Sequence, residues 1–323
     1  MTKAIRIHRT GGTEAMQWED VDVLPPDPDE ALIRHTAIGV NFIDVYFRTG
    51  LYPAQMPCVL GMEAAGVVEE IGAEVKDLNV GDRVAYTGLL GAYAERRTVP
   101  ADRLVKLPKD VRDETAAGMM LKGLTAHYLL HRTYRVGPGD TILIHAAAGG
   151  VGLIACQWAK FLGATVIGTV GSDEKAALAK AHGCDHPIVY TREDFVKRVK
   201  EITGGNGVPV VYDSVGRDTF DKSLDCLRPL GLMVSFGQSS GAVPPLNVST
   251  LTQKGSLFLT RPTLATYVAK REDLVEAAGE LLKAVRTGVV KIEIGRGYKL
   301  RDAAKAHADL EGRKTTGSTI LMP

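Results

Sequence analysis

The feature that most constrains this chain is a glycine-rich segment at residues 145–152, His-Ala-Ala-Ala-Gly-Gly-Val-Gly. An apolar, β-branched run at 141–146 leads into it, and an apolar stretch at 150–162 with helical character follows. A glycine turn between a strand and a helix lets the backbone approach a pyrophosphate, which the helix N-terminus then binds. The segment therefore predicts a dinucleotide-binding turn.

The residues expected at the pyrophosphate share the first turn of the predicted helix: Gly149, Gly150, Val151 and Gly152. Compared with the G-x-G-x-x-G fingerprint, Ala147 stands where the first glycine is expected. A purely structural turn, with tight packing of helix on strand, is the alternative interpretation.

Strands and helices alternate after this turn as far as residue 262, which predicts a doubly wound parallel sheet of the Rossmann type over 125–262. One of the predicted helices spans 192–202. Residues 1–124 contain short β-branched runs separated by glycine and proline, the texture of a mainly β domain. Residues 263–323 are too few for a comfortable separate domain. We expect them to pack on the first segment, so that the α/β unit is an insertion in a mainly β domain.

The second strand of the predicted sheet bears on the choice of cofactor. NAD-binding proteins place an acid at its end, about 20 residues after the turn, on the ribose hydroxyls. That count reaches Thr169, which we include among the cofactor-binding residues, and no acid stands there. Ser172 and Lys175 offer a hydroxyl and a cation for a 2′-phosphate, which favours NADPH. The alternative is a solvated helix start, with Asp173 and Glu174 as favourable first-turn charges.

Composition excludes several classes of protein. Lysine and arginine total 39 and aspartate and glutamate 38, a net charge of +1 that gives no electrostatic support for nucleic-acid binding. The four cysteines form no C-x-x-C pair, which argues against a clustered zinc site and indicates a reducing compartment, the cytoplasm. No apolar stretch is long enough for a membrane span.

Several motifs occur in a characteristic order along the whole chain. They are GMEAAGVV at 61–68, VGDRV at 80–84, KGLTAHYLL at 122–130, HAAAGGVG at 145–152, YDSVG at 212–216, GLMVSFGQSSG at 231–241 and KGSLFLTRP at 254–262. Together they resemble the medium-chain dehydrogenase/reductase superfamily, and within it the zeta-crystallin-like NADPH:quinone oxidoreductase branch.

The resemblance implies a GroES-like catalytic domain made of 1–124 and 263–323, with a Rossmann NADPH-binding domain at 125–262 between them, and a homodimer. Near the adenosine phosphates it implies Ser172, Lys175, Tyr190 and Arg313. On the nicotinamide side it implies Asn41, Lys122, Thr125, Ser214, Phe236, Gly237 and Ser239.

Zinc-dependent members of the superfamily differ from this chain at their metal ligands. Asn41 stands where they carry a cysteine, and Met62 stands where they carry a histidine. Neither side chain replaces a thiolate or an imidazole on Zn²⁺, so we expect no metal site. The pairs His127/His131 and His182/His186 lack the H-E-x-x-H pattern, and we interpret them as surface or packing histidines.

A quinone accepts hydride readily, and the negative charge that develops on its oxygen needs only one or two hydrogen-bond donors. The segment around 41–52 supplies Asn41, Tyr46 and Tyr52 as candidate catalytic residues. For the two tyrosines, ordinary packing is an equal alternative. Asp44 and Glu63 either orient these donors or serve structural hydrogen bonds.

Three functions remain open at this stage. The first is NADPH-dependent quinone reduction. The second is reduction of the double bond of an enone or alkenal, which needs the same hydride delivery to a conjugated acceptor. The third is a non-catalytic NADPH-binding protein with a crystallin-like structural role or an RNA-binding role.

Overall fold

The structure, a computed structural model, describes residues 1–323 in two compact units. Unit 1 comprises Met1–Leu124, Val268–Arg286 and Ile292–Pro323. Unit 2 comprises Thr125–Tyr267 and Thr287–Lys291. The observed architecture confirms the predicted fold class, a parallel α/β sheet together with a mainly β unit.

The strands are β1 (Thr2–Ile7), β2 (Gln17–Val21), β3 (Glu30–Val40), β4 (Cys58–Val59), β5 (Glu63–Ile71), β6 (Arg83–Thr87), β7 (Arg96–Pro100), β8 (Val105–Lys106), β9 (Thr141–Ile144), β10 (Thr165–Val170), β11 (His186–Val189), β12 (Val208–Asp213), β13 (Leu227–Ser235), β14 (Phe258–Thr260), β15 (Ile294–Lys299) and β16 (Ser318–Met322). The α-helices are α1 (Phe42–Thr49), α2 (Asp113–His127), α3 (Gly150–Phe161), α4 (Asp173–Ala181), α5 (Phe195–Ile202), α6 (Phe220–Cys226), α7 (Ser249–Gln253), α8 (Leu264–Tyr267), α9 (Arg271–Arg286) and α10 (Ala303–Glu311). A π-helical turn, Tyr128–Thr133, continues α2.

Unit 2 is built on a six-stranded sheet in the order β11-β10-β9-β12-β13-β14, with every neighbouring pair parallel. Renumbered from β9, this is the 3-2-1-4-5-6 order of the doubly wound dinucleotide-binding fold. All six residues of β12 are buried, as expected for a central parallel strand covered on both faces. The order reverses between β9 and β12, so their carboxyl ends flank the switch point where such folds bind ligands.

One predicted helix begins later than the sequence suggested. Residues 192–202 were expected to be helical, but α5 begins at Phe195. The Asp194 carboxylate accepts the backbone N–H groups of Val196 and Lys197 and so caps the helix. Arg192 therefore lies in the turn between β11 and α5 instead of on a helix face.

Unit 1 contains a seven-stranded sheet in the order β15-β16-β3-β5-β6-β8, with β7 also paired to β3, and a three-stranded sheet in the order β2-β1-β4. The C-terminal strand β16 pairs antiparallel with β3, with Ile320 opposite Gly39. Buried aliphatic and aromatic side chains from both sheets and from α10 form one core. Both ends of the chain thus contribute strands or helices to a single unit.

A buried polar chain joins α1 to α10 inside unit 1. Arg48 is 2% exposed and makes a bidentate pair with Glu311, at 2.8 and 2.9 Å. The same guanidinium lies 3.1 Å from His307 Nδ1, which must accept because arginine can only donate. His307 Nε2 therefore carries the proton and donates to the Tyr93 hydroxyl at 3.0 Å. Tyr93 in turn donates to Asp44 Oδ2 at 3.0 Å.

This chain predicts a pH dependence of stability. Burial, and secondarily Arg48, lowers the pKa of His307 from 6.5 to about 3, so the folded protein keeps this imidazole neutral. In the unfolded chain this histidine binds a proton below pH 6.5. The free energy of unfolding therefore falls as the pH is lowered from 6.5 to about 3. We expect His307 to lower the free energy of unfolding by about 1.4 kcal/mol for each pH unit in that range.

Denaturant unfolding of the parent and of His307→Gln, which can still accept from Arg48 and donate to Tyr93, measures this contribution. The stability difference between parent and variant should shrink or reverse as the pH is lowered. His186→Gln, which changes an exposed histidine, is the matched control. Parallel pH profiles for the parent and His307→Gln would contradict the assignment.

Candidate active site

In unit 2 the glycine turn lies at the carboxyl end of β9 and opens α3. Ala146 has a positive φ of 54°, and its carbonyl accepts the Gly149 N–H at 2.9 Å. Gly149 is the N-cap of α3, and no side chain caps this helix. The first N–H groups of an uncapped helix have no intrahelical acceptor, so they are available to an anion.

The alanine that replaces the first glycine of the fingerprint is accommodated by a glycine on the neighbouring strand. The methyl group of Ala147, at the first fingerprint position, occupies space that Gly168 on β10 leaves free: a Cβ on Gly168 would lie 2.6 Å from Ala147 Cβ. A Cβ on Gly152 would lie 2.3 Å from the Ala146 carbonyl oxygen, so Gly152 permits the close packing of α3 on the turn. The packing role and the anion-binding role are thus compatible, because packing depends on the missing Cβ of the glycines and anion binding depends on backbone N–H groups.

The end of β10 and the start of α4 hold the residues predicted for the 2′-phosphate. Ser172 is the N-cap of α4, and its hydroxyl accepts the Lys175 N–H at 3.4 Å. A hydrogen bond from the same hydroxyl is the first cause that lowers the pKa of Glu174. Tyr190, after β11, is 40% exposed and lies beside Gly171, where a Cβ would come within 3.2 Å of its hydroxyl oxygen. These predicted residues therefore share one edge of the sheet.

The structure also brings together four residues predicted for the nicotinamide side: Ser214, Phe236, Gly237 and Ser239. The N–H groups of Phe236 and Gly237 donate to the carbonyl of Asp213, and Ser239 N–H donates to the carbonyl of Ser214. A Cβ on Gly237 would lie 2.6 Å from the Ser214 carbonyl oxygen, so the two loops touch through their backbones.

Arg261, which the sequence analysis did not single out, donates to the carbonyls of Ser235 and Gly237 at 2.8 and 3.0 Å. Its guanidinium ties the loop after β13 to the end of β14. No local motif marks this role, because the two accepting carbonyls lie more than 20 residues away in sequence.

Three strand ends in unit 2 are tied by a buried network centred on His145. Its Nδ1 lies 2.8 Å from the hydroxyl of Thr169, and its Nε2 lies 2.9 Å from the hydroxyl of Ser223. The Ser223 proton goes to Asp213 Oδ2 or to the Thr219 carbonyl, so His145 Nε2 donates and Nδ1 accepts. The hydroxyl of Thr169 therefore donates to His145 in the interior of unit 2. The prediction that Thr169 binds the cofactor stays untested.

Asp213 was missed by sequence reasoning, although its local signal is present in YDSVG. Its Oδ1 accepts the N–H groups of Val215 and Gly216, at 2.7 and 3.1 Å, which is the geometry of an Asx turn. Its Oδ2 accepts the hydroxyl of Thr219 at 2.7 Å. This fully buried carboxylate shapes the loop that presents Ser214.

In unit 1 the predicted residues Asn41 and Lys122 converge on Glu63, a fully buried carboxylate. Asn41 Nδ2 and Lys122 Nζ donate to Glu63 Oε1 at 2.9 and 2.6 Å, and the Leu121 N–H donates to Oε2 at 2.6 Å. A Cβ on Gly39 would lie 2.2 Å from Glu63 Oε1, so only glycine leaves room for this carboxylate. Glu63 thus orients both predicted side chains.

Asp44 lies next to this cluster and is also fully buried. Its Oδ2 accepts the Asn41 N–H at 2.8 Å, whereas Oδ1 has no hydrogen-bond partner. Burial raises the pKa of Asp44 to about 7, hydrogen bonds from Asn41 and Tyr93 oppose the rise, and the Glu63 charge adds to it. Glu63 therefore contacts the side chain of the candidate donor Asn41, whereas Asp44 makes structural hydrogen bonds to a backbone N–H and to Tyr93.

The candidate tyrosines belong to an aromatic cluster on α1 and the loop that follows it. The rings of Tyr46 and Tyr52 meet edge to face with centroids 5.2 Å apart, and Phe47 contacts Tyr52 at 5.8 Å. Tyr46 is largely buried and Tyr52 is partly exposed. Packing therefore accounts for much of Tyr46, and the predicted catalytic roles of Asn41, Tyr46 and Tyr52 stay predictions.

The structure gives the positions of the remaining predicted residues but does not test their roles. Thr125 is buried in α2, and Arg313 is exposed just after α10, with a φ of 57°. His127 and His131 pack against each other and against Trp158, with ring centroids 4.9 to 5.7 Å apart. No group of three or more histidine, cysteine, aspartate or glutamate side chains is arranged to hold a metal ion.

Comparison with known proteins covers the whole chain. Residues 27–109 match a family model described as an alcohol dehydrogenase GroES-like domain, and residues 150–282 match one described as a zinc-binding dehydrogenase. A quinone oxidoreductase of Pseudomonas aeruginosa is 52% identical over 100% of both chains. A 2-haloacrylate reductase of a Burkholderia species is 50% identical over 100% of this chain and 99% of its own.

The fold agrees with a solved relative. The crystal structure of Escherichia coli quinone oxidoreductase complexed with NADPH superposes with a TM-score of 0.98 at 50% identity, covering 99% of this chain and 100% of that one. Identity of this extent over the full length shows the family directly. The chain belongs to the quinone oxidoreductase branch of the medium-chain dehydrogenase/reductase superfamily.

Proposed function

We propose that this protein reduces quinones with NADPH and needs no metal ion to do so. The observation that carries the proposal is the uncapped, glycine-lined start of α3 at the switch point of a 3-2-1-4-5-6 sheet. The NADPH complex of the Escherichia coli relative and the names of the full-length relatives support it.

The residues that we expect to hold NADPH fall into three sets. Gly150, Val151 and Gly152 present their N–H groups to the pyrophosphate. Gly149, whose N–H is bonded to the Ala146 carbonyl, lets the phosphate approach the turn closely. Ser172, Lys175, Tyr190 and Arg313 surround the 2′-phosphate, beyond the end of β10 that contains Thr169. Lys122, Thr125, Ser214, Phe236, Gly237 and Ser239 border the nicotinamide.

When bound, NADPH supplies a hydride to the acceptor. The side chains of this protein have to stabilise the negative charge that then develops on a quinone oxygen. Asn41 is suited to this task because Glu63 holds its amide in place. Tyr46 and Tyr52 offer a planar apolar wall and further hydroxyl donors. The proton that completes the hydroquinone can come from water, and no side chain is assigned to it.

A second acceptor class is supported by the 2-haloacrylate reductase relative. A haloacrylate carries a double bond conjugated to a carboxylate, and hydride addition to such a bond also builds up charge on oxygen. The same donors would serve either acceptor. Reduction of enones, alkenals or haloacrylates is therefore the second candidate function.

We assign catalysis to the domain predicted at 1–124 and 263–323, and NADPH binding to the domain predicted at 125–262. These domains correspond approximately to unit 1 and unit 2, whose boundary lies at Tyr267/Val268. All four cysteines are free thiols, which supports a reducing compartment such as the cytoplasm. None of the helices is both long and apolar enough to cross a membrane. The net charge of +1 gives no support to nucleic-acid binding.

We further propose that two copies pair through β14. This short strand ends the sheet of unit 2, and its side chains Phe258 and Leu259 are 60% and 40% exposed. An apolar edge strand with unpaired N–H and C=O groups is a surface that proteins normally cover. A second copy of the same strand would extend the sheet and bury these side chains.

The first experiment follows NADPH oxidation with a panel of quinones, and with an enone and 2-chloroacrylate for comparison. We expect quinone-dependent turnover that prefers NADPH to NADH and is unchanged by a chelator. Tight NADPH binding with turnover on the enone or haloacrylate alone would move the function to the second candidate. Binding without any turnover would favour the non-catalytic class.

A tyrosine variant tests the acceptor site. Tyr52→Phe removes one hydrogen-bond donor, and we expect kcat for quinones to fall about tenfold while the Kd for NADPH stays within about twofold. Tyr298→Phe, which removes a hydroxyl on β15 that donates to Asp309 on α10, is the matched control. Equal kcat for Tyr52→Phe and the parent would exclude Tyr52 from the reaction.

A charge on the edge strand tests the pairing of two copies. Phe258→Glu should convert a dimer into a monomer in sedimentation experiments, because the carboxylate would have to be buried in the interface. Phe161→Glu alters an equally exposed phenylalanine on α3 and should leave the dimer intact. A parent protein that is monomeric, or a dimeric Phe258→Glu, would refute pairing through β14.

A further inference from the structure

The turns that follow β10 and β11 are joined along their length. Val170 pairs with Val189 at the ends of the two strands, and the Tyr190 N–H donates to the Val170 carbonyl at 3.1 Å. The Thr191 hydroxyl donates to the Gly171 carbonyl at 3.5 Å. The turn after β11 therefore lies beside the turn that joins β10 to α4.

This arrangement brings a second cation, Arg192, to the edge that already holds Lys175 and Tyr190. The Arg192 guanidinium makes a bidentate pair with the Asp173 carboxylate, at 2.7 and 2.5 Å. The hydrogen bond from Arg192 lowers the pKa of Asp173, so the pair is fully ionised at neutral pH. Asp173 is the first residue of α4, directly after Ser172.

Two facts make this pair unlike an ordinary surface ion pair. A guanidinium that holds a carboxylate in two-point contact has the geometry that also holds a phosphate. In addition, the Asp173 carboxylate stands at the edge where a 2′-phosphate is expected, and two negative groups there repel each other. An exposed ion pair is worth little, so its exchange for a phosphate is feasible.

We propose that Arg192 is a specificity-determining residue for the 2′-phosphate of NADPH and that Asp173 occupies it until the phosphate arrives. On binding, Arg192 exchanges the Asp173 carboxylate for the phosphate, or bridges the two. Asp173 thus limits the affinity for NADPH, whereas Arg192 provides the preference over NADH. This inference rests on the proposed cofactor and adds two residues to its recognition.

Binding experiments without the nicotinamide test the exchange directly. Adenosine 2′,5′-bisphosphate and adenosine 5′-phosphate differ only in the phosphate at issue, and calorimetry measures the Kd of each. For Arg192→Gln we expect about a tenfold or greater loss of affinity for the bisphosphate and a change within about twofold for the monophosphate. For Asp173→Asn we expect the bisphosphate to bind about threefold tighter or more.

The double variant separates exchange from simple repulsion. If Arg192 changes partners, Asp173→Asn strengthens bisphosphate binding less in the Arg192→Gln background than in the parent. Arg198→Gln is the matched control, because it removes the same charge from α5, where Arg198 pairs with Glu193 and Glu201. We expect that control to leave both affinities within about twofold of the parent.

The outcomes distinguish this inference from the proposal it rests on. A parent that prefers the bisphosphate, together with an Arg192→Gln variant that keeps that preference, would overturn the role of Arg192 and leave NADPH as the cofactor. Equal effects of Asp173→Asn with and without Arg192 would overturn the exchange. A parent that binds both nucleotides equally would instead remove the NADPH assignment itself.

Discussion

Burial of the Glu63 carboxylate is the constraint on which the candidate site of unit 1 depends. A charge removed entirely from water needs a cation and several donors, or the fold loses several kcal/mol. Lys122, Asn41 and the Leu121 N–H meet that need, and the missing side chain of Gly39 provides the space. Because these donors serve a structural charge first, their positions are held before any substrate is present.

Unit 2 obeys a different constraint, which is the common direction of its six strands. Parallel strands end at one edge, so polar residues far apart in sequence meet there without any motif linking them. His145, Thr169 and Asp213 occupy the ends of three strands and are joined by hydrogen bonds through Ser223. The loops that follow are thereby held by buried side chains, while the uncapped, half-buried first turn of α3 is left for an anion.

Periodicity and glycine placement were enough to predict the parallel sheet, the alternation of strands and helices along the chain, and the dinucleotide-binding turn. These features are local, because each strand or helix carries its own apolar repeat. The buried polar chain of unit 1, which runs from Glu311 and Arg48 through His307 and Tyr93 to Asp44, could not be predicted from the sequence. Its members lie up to 263 residues apart. The start of α5 was predicted three residues too early, because Arg192 and Glu193 are good helix formers. The Asp194 side chain caps the helix and so sets its first residue at Phe195.

The position of β16 has a consequence for synthesis of the chain on the ribosome. The strand lies between β15 and β3, so the part of the β3 edge at residues 38–40 stays open until residues 318–322 have been made. Unit 2, by contrast, is complete once residue 291 has been made. The inserted unit can therefore fold before β16 has been made, whereas the sheet built from residues 1–124 keeps part of one edge unfilled until β16 emerges. The sheet of unit 1 is thus begun before unit 2 and closed after it.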